Sequence, residues 1–196
     1  DFHSGGSSLL YVPSVQVQLE SDGKLNPKVK TLAEAFACPV TQVYPFDDQG
    51  PMSESAARRK GLFYFTTELA GAGMVSPVAY QTAEHGIFRM LHKLGVLKTL
   101  PDNVSPEPPP TQYVNIDGGE LFCYATEDGL FEPLVELGDW VQAGQPAAAM
   151  HTPESPLKDP TIIRFDAAGL VVCKRVPGRT LRGDCLYHIG TPWPAN

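Results

Sequence analysis

The sequence predicts an α/β unit joined through a proline-rich linker to a smaller all-β unit. Three observations carry this. Over residues 1–99 short apolar strands alternate with segments of helical period; residues 100–112 are dense in proline; over 113–196 the helical period disappears and glycines punctuate short strands. With 196 residues, 42% of them hydrophobic, the chain has apolar mass enough for real cores.

In the first unit, an extended stretch around Leu9 to Val12 and a period-two run from Val15 to Leu19 read as strands. Asn26 can cap a helix that has Pro27 in its first turn, with Val29, Leu32, Ala33 and Phe36 on one face, and Pro39 stops it. Val40 to Tyr44 reads as a strand, and Ser53 to Lys60 as a short helix. Leu62-Phe63-Tyr64-Phe65-Thr66-Thr67 is a nearly continuous aromatic and β-branched run, expected to be a strand buried on both faces. Thr82 can cap a last helix whose apolar stripe is Ile87, Leu91 and Leu94, ending before Gly95. This alternation predicts a largely parallel sheet, with ligands bound outside the carboxyl ends of its strands.

Prolines at 101, 106, 108, 109 and 110 forbid helix and discourage sheet pairing across the linker. The second unit holds a weak internal repeat. Gly129-Leu130, Gly138, Val141 and Gly144 return as Gly169-Leu170, Gly178, Leu181 and Gly183, which predicts two copies of one β unit.

Composition excludes several functions. The net charge is −7 and the longest basic run is Arg58-Arg59-Lys60, so a nucleic-acid footprint is absent. Apolar runs fall short of the roughly 18 residues of a spanning helix, so no membrane partner is expected. The four cysteines, at positions 38, 123, 173 and 185, lack C-x-x-C spacing and sit in apolar surroundings, which favours buried thiols and a reducing, cytoplasmic setting.

The chemistry gathers at two places. In Asp1-Phe2-His3-Ser4-Gly5-Gly6, a histidine follows an acidic residue that can orient one ring nitrogen while the other binds a metal. Ser4 and Gly5 offer donors and a close backbone approach to a ligand. Some sixty positions on, Glu68 ends the aromatic run, where a buried carboxylate needs a metal, a cation or a proton-transfer task. Gly71 permits a sharp exit beside it. Arg58 precedes Glu68 by ten positions, on a helix expected to flank the same cleft, and is a candidate partner for a substrate carboxylate; a solvated helix end is its alternative. His151-Thr152-Pro153-Glu154 spells H-x-x-E but lies among prolines and reads as a decoy. His85, His92 and His188 read as structural or surface residues.

Together, Asp1-Phe2-His3-Ser4-Gly5-Gly6-Ser7-Ser8, Thr66-Thr67-Glu68-Leu69-Ala70-Gly71 and the β unit resemble the succinylglutamate desuccinylase and aspartoacylase family, and within it the N-acetyl-diaminobutyrate deacetylase branch. The resemblance implies a partial zinc-carboxypeptidase-like α/β domain over 1–99. It also implies that an early H-x-x-E pair and a later histidine bind zinc while a separate glutamate activates water. On that likeness His3 is the third ligand and Glu68 the base, the other ligands being expected upstream of Asp1. Ala70 departs from the family's usual glycine. Separately, Gly138-Asp139-Trp140-Val141-Gln142-Ala143-Gly144-Gln145 resembles the hairpin of lipoyl and biotinyl domains, which implies a flattened β sandwich over 113–196.

The expected function is thus zinc-dependent hydrolysis of the amide bond in a small N-acyl amino acid, with this chain inactive by itself. Its β unit would serve as a lid, oligomer contact or cleft wall. The alternative is a non-catalytic binding or interaction protein with a lipoyl-like module. Lys158, set in the proline-broken stretch Met150 to Pro160, is an unconvincing carrier attachment site.

Overall fold

A computed structural model describes residues 1–194. Six strands belong to or border the α/β unit: β1 (Phe2–His3), β2 (Leu9–Tyr11), β3 (Ser14–Gln18), β4 (Val40–Tyr44), β5 (Thr66–Glu68) and β6 (Gln112–Asn115). Its helices are α1 (Pro27–Phe36), α2 (Ser53–Arg59) and α3 (Pro77–Lys93). The β unit contributes β7 (Phe122–Tyr124), β8 (Gly129–Pro133), β9 (Trp140–Val141), β10 (Pro146–His151), β11 (Thr161–Arg164), β12 (Gly169–Arg175), β13 (Arg179–Thr180) and β14 (Cys185–Pro192).

Helix α1 follows its sequence signals. The Asn26 side chain accepts from the Lys28 amide at 3.0 Å, and Ala37 ends the helix in the left-handed region at φ 63°. Val29, Ala33 and Phe36 are buried against Val15, Val17 and Val43. A fully buried side chain such as Phe36 contributes roughly 1.5–3 kcal/mol.

Two local expectations change. The strand expected over Leu62 to Thr67 is confined to Thr66–Glu68, and Leu62 and Phe63 are 64% and 52% exposed. The aromatics pack on α1 instead of entering a ladder: Lys28 Nζ lies 4.7 Å over the Phe63 ring, and Phe65 meets Phe36 edge-on at 5.7 Å. Helix α3 starts earlier than the Thr82 cap implied. Pro77 opens it and Ser76 Oγ accepts from the Ala79 amide, while Thr82 Oγ donates back to the Val78 carbonyl within the helix.

The main sheet has ten strands, with its central path in the order β1-β5-β3-β4-β6-β14-β12-β2. It is not uniformly parallel. β3, β4 and β6 run parallel, as do β1 and β5, but β5 runs antiparallel to β3. The carboxyl ends of β1 and β5 therefore lie beside the amino end of β3. Strand pairing also crosses the expected boundary at residue 113, because β6 joins β4 on one side and β14 on the other. At the far edge β2 pairs with β12, and Leu10 bridges back to Gly71 just after β5. The sheet thus curls until its β2 edge meets the loop leaving β5.

The internal repeat is visible as reciprocal pairing. Strands β7 to β10 correspond to β11 to β14: β10 pairs with β8 and β11, β14 pairs with β12 and β7, and the third strands are exchanged, β9 to β12 and β13 to β8. Equivalent turns carry equivalent bonds, Gly144 N–H to the Phe165 carbonyl and Gly183 N–H to the Ala125 carbonyl. The core between these sheets is built on Phe131, Met150, Phe165, Leu186 and Tyr187.

Gly86 offers a test of the helix packing. A Cβ there would sit 2.6–2.8 Å from the Phe36 ring. Alanine favours a helix over glycine by about 1 kcal/mol, but overpacking costs about 1–3 kcal/mol. Gly86→Ala is expected to lower stability by about 1 kcal/mol in urea unfolding; a gain would mean that α1 and α3 separate freely.

Candidate active site

His3 and Glu68 are register partners on the parallel strands β1 and β5, so their side chains leave one face side by side. His3 is exposed, and its Nε2 lies 3.2 Å from Asp1 Oδ2, which leaves Nδ1 as the ring nitrogen free of protein partners. Asp1 Oδ2 also accepts from Tyr64 Oη at 3.0 Å and Ser53 Oγ at 3.3 Å. Tyr64 and Ser53 thereby fix the group that orients His3. The sequence singled out neither residue, since Tyr64 looked like one more aromatic in a strand and Ser53 like the start of a helix.

Glu68 is half-buried, and its Oε2 is buried without a hydrogen-bond partner. Burial pushes its carboxyl above the ordinary glutamate range, with His3 pulling the other way. The orphaned oxygen and the elevated pKa suit a group whose task is to accept and release a proton.

Behind these side chains, the loop after His3 is stapled to the loop after Glu68. Gly5 N–H and Tyr11 N–H both donate to the Ala70 carbonyl, at 3.1 and 3.2 Å, and Ala72 N–H donates to the Leu9 carbonyl at 2.9 Å. The approach is close enough to require glycine. A Cβ on Gly71 would lie 1.9 Å from the Leu9 carbonyl oxygen, and one on Gly5 2.1 Å from the same atom. Gly5 and Gly71 are placed as hinge points of the staple, with Ser4 exposed beside them. Ala70 has φ 140°, a region that side chains rarely enter.

Arg58 lies toward the other end of β3. Its Nε donates to Gln18 at 3.1 Å, one terminal nitrogen to the Leu19 carbonyl at 3.1 Å and the other to Glu20, while Phe46 stacks 4.9 Å away. Ser14 faces Glu68 in register, and Gln18 is four residues along β3, about 13 Å away. The reversed direction of β5 is the reason: ten residues of sequence carry the chain from one end of β3 to the other. The remaining histidines lie apart from His3. His151 pairs with Glu132 at 2.5 Å, His188 stacks on Phe122 at 3.9 Å with burial pushing its pKa down to about 4, and His85 lies 3.4 Å from Asn103. Lys158 pairs with Glu127 at 3.3 Å.

Among the described residues no group of three His, Cys, Asp or Glu side chains could hold a metal ion. His3 with its free nitrogen, and the unpartnered Glu68 oxygen beside it, fit one ligand and the base of a catalytic zinc. Cys38, Cys123 and Cys173 are free and buried, and burial raises all three thiols to about 12, which disfavours the thiolate that zinc binds. No helix among the described residues is long and apolar enough to cross a membrane.

Two measurements test this geometry. Ala70→Gly relieves a strained backbone and is expected to raise stability by about 1 kcal/mol, net of glycine's greater unfolded-state entropy, in chemical denaturation. For Glu68, the folded state holds the proton more tightly than the unfolded chain does. Its penalty is absent below about pH 4 and grows as pH rises through its elevated pKa. Glu68→Gln should therefore gain stability relative to the parent at pH 7 but not at pH 4; a pH-independent difference would mean that Glu68 titrates normally.

No family model matches the chain. Its sequence is 26% identical over 192 residues to the N-alpha-acetyl-L-2,4-diaminobutyric acid deacetylase of Halomonas elongata, covering 96% of this chain and 54% of that protein. Its fold matches the succinylglutamate desuccinylase/aspartoacylase of Rhodobacter sphaeroides with a TM-score of 0.87 at 27% identity, over 98% of this chain and 57% of that one. The product-bound ectoine utilization protein EutE of Ruegeria pomeroyi matches with a TM-score of 0.84 at 27% identity, over 97% and 57%. The chain spans a little over half the length of these relatives. By sequence and fold alike, the chain is similar to members of the succinylglutamate desuccinylase/aspartoacylase family and matches their carboxyl-terminal part.

Proposed function

We propose that the protein carrying this chain is a zinc-dependent hydrolase that cleaves the amide bond of a small N-acyl amino acid, with an Nα-acetylated diaminobutyrate as the first substrate to try. The observation that carries the reading is the pairing of His3 with Glu68 on adjacent strands, one offering a free ring nitrogen and the other a buried, unpartnered carboxylate oxygen. The deacetylase relative from Halomonas elongata supports the choice of substrate.

In this reading His3 supplies one zinc ligand through Nδ1, and Asp1, Tyr64 and Ser53 hold its ring in place. Among the described residues no group of three ligating side chains forms, so His3 is the one ligand assigned. Bound zinc supplies Lewis-acid polarisation of the acyl carbonyl and a lowered pKa for the attacking water. Glu68 takes a proton from that water and returns it to the departing amine, a shuttle that its raised pKa favours. The close-packed loops at Gly5 and Gly71 leave the two side chains little freedom to drift, which keeps base and ligand in register.

We read the β unit as a lipoyl-like sandwich that walls this cleft; the reciprocal strand exchange supports the first part and the pairing of β2 with β12 the second. Amino-acid release by the purified protein tests the assignment. Glu68→Ala should reduce turnover at least a hundredfold with zinc content unchanged, and His3→Ala should lower zinc content itself. Turnover retained without Glu68, or metal content indifferent to His3, would remove that residue from its role.

A further inference from the structure

One face of the central strands is polar although much of it is buried. Val15 and Val17 of β3 pack on α1, as the period of two requires, but Ser14, Gln16 and Gln18 share the other face with Glu68, Thr66 and Gln42. The register forms two rows. His3, Glu68 and Ser14 make the first; Thr66, Gln16 and Gln42 make the second, two residues along.

Buried polar groups on such a face need partners, and most have been given one. Ser14 Oγ donates to the Val12 carbonyl at 2.5 Å, and Gln18 accepts from Arg58. Gln42 is fully buried; its Oε1 accepts from Gln16 Nε2 at 3.0 Å, while its own Nε2 has no hydrogen-bond partner. Gln16 is the half-buried member of its row, and that single bond leaves its carbonyl oxygen and its second N–H uncommitted. Across the antiparallel pair Gln16 is the diagonal neighbour of Glu68, a Cβ separation of about 7–8 Å. On the β4 side the same face is covered by the β unit: Val40, in register with Ser14, and Val114, in register with Gln42, pack with Leu170 and Val172. Gln16 therefore stands between that cover and Glu68.

We propose that Gln16, its amide held in one orientation by Gln42, is a specificity-determining residue that donates a hydrogen bond to the carboxylate next to the scissile amide. This rests on the hydrolase reading above, and it gives the substrate anion a donor other than the committed guanidinium of Arg58. Gln42 is the positioning residue. Its bond spends one Gln16 hydrogen and leaves the other for the ligand.

The test compares the whole protein with its Gln16→Leu and Gln42→Leu variants on an N-acetyl amino acid and on the matching N-acetyl amine without the carboxylate. Hydrogen bonds to charged groups contribute about 1.5–3 kcal/mol, at least tenfold in affinity. Gln16→Leu should raise KM tenfold or more for the carboxylate substrate, with kcat within about threefold and the decarboxylated analogue unaffected. Gln42→Leu should raise the same KM by less. Equal KM values for parent and Gln16→Leu, or equal losses on both substrates, would overturn the proposal. Calorimetric binding of the N-acetyl amino acid separates the two ideas. If no variant shows turnover but Gln16→Leu still loses tenfold in affinity, the hydrolase reading fails and the carboxylate site stands; unchanged affinity removes the site.

Discussion

The Ala70 carbonyl accepts two N–H groups that lie far apart in the logic of the fold: Gly5, in the loop after the candidate zinc histidine, and Tyr11, in the strand that carries the sheet over to the β unit. With the Leu9 carbonyl, it closes a ten-stranded sheet back on itself. Side-chain placement at the site follows from that closure. It sets β1 beside β5 in a register that pairs His3 with Glu68, and it brings β12 against the same corner through β2. Such closure leaves no room for a Cβ at Gly5 or Gly71 and holds Ala70 at φ 140°. Backbone strain of this sort persists only where surrounding structure over-determines it, and here the surrounding structure is the site.

A second constraint is directional. Because β5 runs against β3, the site sits at the end of β3 where that strand begins, on the side approached by the β unit. The opposite end of β3 is occupied by a separate polar cluster of Gln18, Glu20 and Arg58, closed by α2.

Much of this was legible in the residues. The cap and period of α1, the break in periodicity after residue 100 and the duplicated glycine pattern of the β unit each appear in the fold, because each reports a local requirement of the backbone. The pairing of His3 with Glu68 was foreseeable only through resemblance, since nothing local links residues sixty-five apart. Arg58 lies toward the other end of β3 for a related reason: distance along the chain says nothing about a strand reversal, and β5 supplies one. Leu62 and Phe63 have the residue types of a buried strand yet lie on the surface over α1, a case of tertiary packing overriding propensity. The alternation Ser14, Gln16, Gln18 was visible as the polar side of a period-two run. Its meaning emerges only when Glu68 is found in the next row.

One corner of the closed sheet sets the free ring nitrogen of His3 beside the unpartnered carboxylate oxygen of Glu68, the arrangement proposed to serve as metal ligand and base. The most direct measurement is the zinc anomalous signal in a crystal of the whole protein. A peak is expected about 2.0–2.1 Å from His3 Nδ1, with Glu68 outside ligating distance. A peak on His151 or on Glu68 itself, with His3 uncoordinated, would contradict it.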